Sequence, residues 1–172
     1  MNTIRIATRL RPLRRMITGA GLAALVAAST PASAQSAPQA RLPVVRLQAG
    51  MHIVVAEVAS TPRTREIGLM MREQLGPNEG MLFVFDQPQP HCFWMRNTLV
   101  PLSIAFLDDD GRIVNVEDMA PRTEDSHCSA RPVRFALEMA QGWFARRALG
   151  PGAQLANPKV FPGQAPLRKN LP

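Results

Sequence analysis

The sequence has few of the residues from which catalytic and metal sites are commonly built. Its 172 residues include two cysteines, three histidines and no tyrosine, and aromatic residues make up 5%. It contains no C-x-x-C pair, no G-x-S-x-G turn and no glycine-rich phosphate-binding or dinucleotide-binding motif. These absences argue against a thioredoxin-like redox cycle, a serine hydrolase with a nucleophile elbow and a nucleotide-binding domain.

Long hydrophobic runs are also lacking. The apolar stretch Met16 to Ala28 has 13 residues, fewer than the roughly 20 that a membrane-spanning helix needs. A basic segment precedes this stretch, and the small residues Ala32-Ser33-Ala34 follow it. This order is typical of a secretory signal peptide, which we assign to residues 1–34. The sequence therefore predicts a periplasmic or secreted protein with no membrane span after cleavage.

The excess of positive charge is confined to this leader. The whole chain has 20 Lys and Arg against 13 Asp and Glu, a formal net charge of +7. Residues 1–34 hold five of the arginines and no acidic residue, so 15 basic and 13 acidic residues remain after cleavage, a net charge of +2. A nearly balanced domain is not expected to bind nucleic acid.

The remaining 138 residues have the length of one ordinary domain. Composition divides them into a flexible lead-in at residues 35–41, a single globular domain at residues 42–158 and a loose, proline-rich tail at residues 159–172.

Short β-branched and alternating runs dominate the globular region and predict strands. Thr61 and Pro62 are suited to begin a helix that continues to the stop at Gly76, and a second short helix is predicted from Trp143 to Leu149. Asp110-Gly111 predicts a hairpin. We expect an α+β fold, a compact and mainly antiparallel β-sheet or barrel-like domain with two short helices. The predicted strands are 43–47, 52–59, 81–85, 92–95, 102–108, 112–119 and 133–139.

Four sequence blocks resemble a known family. They are Arg65-x-x-Gly68-Leu69-Met70-x-Arg72, Gly80-Met81-Leu82-Phe83-Val84-Phe85, Phe93-Trp94-Met95-Arg96-Asn97-Thr98 with Pro101-Leu102, and Leu137-Glu138-Met139 with Gly142. The region from about residue 54 to residue 152 is similar to the family called domain of unknown function 192. The resemblance implies a fold and no activity, because the family is named for its missing function.

The two cysteines each follow a histidine. In an oxidising compartment an even pair is first a candidate disulfide, here Cys92 to Cys128. The alternative is a soft-metal site for zinc or copper, or a thiol-dependent activity, built from His91, Cys92, His127 and Cys128. Neighbouring residues on a strand point to opposite faces, so one His-Cys pair is poorly arranged to share a metal ion.

A set of polar side chains lies beside apolar sequence and could bind a ligand. Guanidinium groups suit a carboxylate or phosphate, and Trp94 could form the floor of a small cleft. Arg65 and Arg72 are expected two turns apart on one helix face. In the alternative interpretation, Trp94 is core, Asn97 holds a turn and the arginines pair with acidic residues or face solvent. The candidate ligand-binding residues are Arg65, Arg72, Trp94, Arg96, Asn97 and Glu138.

These patterns favour an exported, non-enzymatic binding or accessory module for a small anionic ligand or an envelope partner, without a cofactor. The second hypothesis is soft-metal or thiol chemistry at the two His-Cys pairs. A hydrolase is the third, and it requires a pocket with a paired acid and base.

Overall fold

The computed structural model describes residues 37–164. The predicted signal peptide and residues 165–172 lie outside the described residues. Nine strands are present, together with one helix, α1 (Pro62–Ile67). The strands are β1 (Val44–Ala49), β2 (His52–Ala59), β3 (Glu79–Gln89), β4 (Cys92–Phe93), β5 (Leu102–Leu107), β6 (Ile113–Met119), β7 (His127–Cys128), β8 (Val133–Ala140) and β9 (Leu155–Ala156).

Seven strands form one curled, half-barrel sheet in the order β6-β5-β8-β3-β2-β1-β9. Its pairs are antiparallel except β2 and β3, which run parallel because α1 lies in the connection between them. The sheet is therefore mixed, with one parallel pair, while its other pairs are antiparallel as the sequence predicts. The small strands β4 and β7 form a separate antiparallel pair. With so little helix, the domain is mainly β, which corrects the α+β expectation.

The helix α1 begins as the sequence predicts and ends earlier. Thr61 and Thr64 form a reciprocal capping box, and Pro62 occupies the first turn, where its missing N–H is not needed. The chain leaves the helix at Gly68, whose φ of 50° is a left-handed conformation that glycine adopts without steric cost. The expected continuation to Gly76 is wrong, since residues 72–76 are irregular.

The second predicted helix is reduced to one 3₁₀ turn, Ala145–Arg147. Ala148 has a φ of 53° and ends the turn. The predicted strand at residues 92–95 is likewise shorter. It stops after Phe93, and the following segment turns at Asn97, which has a φ of 60°. Local hydrophobic patterns mark these segments as buried without determining their backbone type.

Side chains are buried on both faces of the sheet, which gives two hydrophobic clusters. The first joins one face of the strands to Trp143, Phe144 and Phe161. The second joins the other face to Leu69 and Met95, from the segments that follow α1 and β4. Because α1 and the β4–β7 pair cover this second face, a cleft can form between them above the sheet.

The C-terminal part of the described chain is packed rather than loose. Phe161 is fully buried, and Gln164 donates to the carbonyl oxygens of Asp110 and Leu155. The first part of the segment predicted as a proline-rich tail thus contains side chains that pack against the domain. Within the described residues, no helix is long and apolar enough to cross a membrane.

Candidate functional site

A cleft of about 260 Å³ opens above the second cluster. Its walls are α1 with the turn after it, the middle of β3, and the segment His91 to Trp94. Most of the lining side chains are apolar or aromatic, and Glu138 of β8 also contributes to the lining. A concave, largely apolar surface with a few polar groups is the usual form of a small-molecule site.

Glu138 is a buried acid in the floor of the cleft. Its residue surface is 5% exposed, and its cross-strand neighbours are the apolar residues Met81 and Ile104. No hydrogen bond or ion pair joins its carboxyl group to another described side chain. Burial raises the pKa of Glu138 from 4.5 to about 8, since a low-dielectric environment disfavours the charged form. Glu138 is therefore mainly protonated at neutral pH.

Glycine at position 80 lets β3 approach β8 closely beside this acid. A Cβ atom at Gly80 would collide with the carbonyl oxygen of Glu138. Close packing of β3 against β8 at the floor of the cleft thus explains the glycine that begins the block Gly80 to Phe85.

Arg65 projects from α1 into the cleft wall. Its Nη1 donates to the carbonyl oxygens of Ser60 at 2.7 Å and Val84 at 2.8 Å, and its guanidinium lies 5.0 Å from the ring centroid of Phe85. Within residues 37–164, no carboxylate lies in ion-pair range of Arg65. The cleft thus contains a fixed guanidinium whose charge no neighbouring acid neutralises.

His91 also lines this wall. Its ring stacks on Phe85 with 3.5 Å between centroids, and its Nε2 is buried without a hydrogen-bond partner. Burial, and then the positive charge of Arg65, lower the pKa of His91 below 6.5. The imidazole is therefore mainly neutral at pH 7, and Arg65 remains the cation of this wall.

Trp94 is neither core nor floor, because it lies at the rim of the cleft with 38% of its surface exposed. Arg96 stacks over the indole at 4.0 Å and forms an exposed ion pair with Glu124 at 2.8 Å. That ion pair lines an adjoining shallow depression, which shares Cys92, Phe93 and Trp94 with the cleft. Arg96 is therefore outside the cleft proper.

Two other expected ligand-binding residues are also elsewhere. Arg72 follows α1 rather than extending it, so it does not share a helix face with Arg65. Its guanidinium forms a largely buried ion pair with Glu57 at 2.9 Å. Asn97 forms a turn, and its carbonyl oxygen accepts from the amide of Met71. The structure thus brings together Arg65, Trp94 and Glu138, and it separates the three arginines.

Cys92 and Cys128 form a disulfide that joins β4 to β7. Both thiols are consumed in this bond, and His127 instead contacts Glu117 through Nδ1 at 3.1 Å. Across the described part of the chain, no group of three or more His, Cys, Asp and Glu side chains is arranged to hold a metal ion. The disulfide thus ties β4 to β7 and fixes β4 as one wall of the cleft.

Comparison with known proteins then places the chain in a family. The model of DUF192, described as an uncharacterized ACR, matches residues 44–157. The chain belongs to the DUF192 family. No curated protein matches it.

Two solved structures are similar to this DUF192 domain. One, from Novosphingobium aromaticivorans DSM 12444, is described as a protein of unknown function. It is 34% identical, with a TM-score of 0.66, and the match covers 73% of this chain and 94% of that one. The other, from Sinorhizobium meliloti 1021, is described as a candidate transcription regulator. It is 37% identical, with a TM-score of 0.61, and the match covers 64% and 89%.

Sequence reasoning missed several cleft residues of this DUF192 domain. Phe83 and Phe85 carry no sign of a site, because aromatic residues in a strand are usually core. Thr98 is buried at the cleft, although it follows a turn. The position of His91 beside Cys92 in the sequence suggests a metal ligand and gives no sign of this wall. The sequence signal that points to this site is the helix N-cap at Thr61, because the cap fixes the start of α1 and α1 carries Arg65.

Proposed function

We propose that this chain is an exported, non-enzymatic binding module whose cleft takes a small anionic ligand, with Arg65 as the residue that holds the anion. The observation that carries the proposal is the position of Arg65 in an apolar cleft without a carboxylate partner among the described residues. A guanidinium in such a place attracts a carboxylate or phosphate oxygen more strongly than it would in water.

The fixation of Arg65 supports this proposal. Two backbone carbonyl groups hold Nη1, and the Phe85 ring supports the guanidinium plane. A pre-positioned side chain loses less conformational entropy when a ligand binds. By contrast, Arg72 and Arg96 already have carboxylate partners in Glu57 and Glu124.

The size and lining of the cleft favour a small ligand with an apolar body. Its volume of about 260 Å³ lies just below the range of roughly 300 to 1,000 Å³ typical of drug-sized ligands. Aromatic side chains line the walls, and the exposed indole of Trp94 stands at the rim. An aromatic or branched aliphatic carboxylate matches these properties. Export is supported by the leader sequence, and the disulfide is consistent with an extracytoplasmic location.

Calorimetric titration with 3-phenylpropionate tests the proposal, with 3-phenylpropanol as the uncharged matched compound. We expect the carboxylate to bind more tightly than the alcohol and Arg65→Gln to weaken carboxylate binding about tenfold or more, as loss of a charge-assisted hydrogen bond predicts. Arg112→Gln is the control, because Arg112 is exposed and lies outside the cleft.

Two outcomes would contradict the anion site. One is equal affinity for the acid and the alcohol. The other is unchanged binding of 3-phenylpropionate by Arg65→Gln. Since Arg65 also holds two carbonyl groups, Arg65→Lys is included as a variant that keeps the charge, and the thermal midpoint of each variant is measured to verify folding.

A further inference from the structure

We infer that the floor of the same cleft is a subsite for a cationic amino group and that Glu138 is the residue that receives it. This inference rests on the proposed function and deepens it. The ligand class becomes small zwitterions with an apolar body, whose amino group meets Glu138 while an anionic group meets Arg65.

Glu138 has no hydrogen-bond or ion-pair partner for its carboxyl group among the described residues. Buried polar groups in folded proteins are paired with few exceptions, and this chain follows the rule at its other buried glutamate. Glu57 accepts hydrogen bonds from Arg72, Arg41 and the amide of Leu42. Glu138 is equally buried, lines an open cleft and has no such donors. The donors that Glu138 lacks can therefore come from a ligand.

A cationic amino group is the donor best suited to this carboxyl group. An ammonium group has three N–H donors and a full charge, so it can satisfy the carboxylate that burial otherwise penalises. The rings of Phe83, Phe93 and Trp94 line the same space, and aromatic faces attract a cation. A ligand carboxylate at this floor would instead find only the single O–H donor of the protonated carboxyl, and it would be repelled once Glu138 ionises.

The two ends of the cleft are electrostatically different. Arg65 acts on His91, whose pKa it lowers, whereas burial alone raises the pKa of Glu138. The charged or titratable groups that line the cleft besides Glu138 are Arg65 and Glu66 of α1 and His91 before β4. The flanking strands β3 and β5 contribute apolar neighbours at the floor. Cation preference at the floor and anion preference at the wall are thus compatible.

The inference predicts a specific pH dependence. An ammonium group pairs with ionised Glu138, so binding must remove the carboxyl proton. With a pKa of about 8, the ionised fraction rises from about 9% at pH 7 to about 50% at pH 8. Affinity for an amine should therefore rise about fivefold over this interval. His91 is already neutral there and contributes little to the change.

Calorimetric titrations with three matched compounds test the inference: 2-phenylethylamine has only the amine, 3-phenylpropionate only the acid, and phenylalanine both. We expect phenylalanine to bind most tightly. Glu138→Gln should weaken binding of both amines at pH 8 at least tenfold and leave 3-phenylpropionate unchanged. Glu73→Gln is the control, because Glu73 is exposed and distant from the cleft lining.

The outcomes separate this inference from the proposed function. If 3-phenylpropionate binds through Arg65 while neither amine responds to Glu138→Gln, the amino subsite is wrong and the anion site stands. If 2-phenylethylamine binds with the expected pH dependence and 3-phenylpropionate does not bind, the amino subsite stands and the anion site is wrong. The pH profile of the unmodified protein needs no substitution, so a flat profile for 2-phenylethylamine also overturns the inference.

Discussion

Replacement of Glu138 by glutamine should stabilise the protein at neutral and alkaline pH. Glutamine keeps the shape of a protonated glutamic acid and cannot ionise. In the native protein the carboxyl has a pKa of about 8, against the ordinary value of 4.5. Between these two values the folded state holds a proton that the unfolded state has released.

The sign and size of the effect follow from proton linkage. Because the folded state binds more protons, stability of the native protein falls as pH rises from 4.5 to 8 and is constant above that range. Each pKa unit corresponds to about 1.4 kcal/mol. The loss reaches about 3 kcal/mol at pH 7 and about 5 kcal/mol above pH 8. Glu138→Gln avoids this loss, so its advantage should be near zero at pH 4.5 and grow to these values.

Urea unfolding at pH 4.5, 7 and 8.5, without reductant, measures this difference. The free energy of unfolding of Glu73→Gln, a variant at an exposed position, should show the same pH dependence as that of the native protein. A pH-independent difference between Glu138→Gln and the native protein would refute the reasoning. So would a destabilised Glu138→Gln variant at pH 8.5.

Three further predictions concern the framework of the cleft and are checked by urea unfolding. Arg72→Ala should cost about 2 kcal/mol or more, since it leaves the buried Glu57 with only the more exposed Arg41 and the amide of Leu42 as partners, whereas Arg96→Ala should cost under about 1 kcal/mol because its ion pair is exposed. Equal losses of unfolding free energy in Arg72→Ala and Arg96→Ala would contradict the burial of the Arg72–Glu57 ion pair. Cys92→Ser opens a loop of 36 residues and should cost about 3 to 4 kcal/mol; an unchanged midpoint would argue against the disulfide. Phe161→Ala should cost about 3 kcal/mol or more, and a negligible cost would mean that residues 159–164 do not pack.

Much of the fold could be predicted from local sequence. Thr61 and Pro62 mark the start of α1 because capping and a fixed proline φ are local effects. Asp110-Gly111 marks the β5–β6 hairpin in the same way: Asp108 accepts from the amides of Asp110 and Arg112, and Gly111 has a φ of 71°. The disulfide could be predicted from cysteine number and compartment.

The remaining features depend on tertiary context. The parallel pairing of β2 with β3 is decided by where α1 packs, which no local pattern encodes. The pairing of Arg72 with Glu57 required the helix to end at Gly68, so the two arginines could not share a face. Glu138 is a candidate in the sequence because it belongs to a set of polar residues beside apolar sequence. The burial of its carboxyl group without a partner depends on how α1 packs over the sheet.

The most direct test of the account is a pH titration of the Glu138 side-chain carboxyl carbon by ¹³C NMR, with and without phenylalanine. The account predicts a midpoint near pH 8 in the free protein and a lower midpoint when the ligand is bound, because an ammonium group favours the ionised carboxylate. A midpoint near 4.5 in the free protein would contradict the burial of Glu138, and a midpoint that phenylalanine leaves unchanged would contradict its role in the cleft.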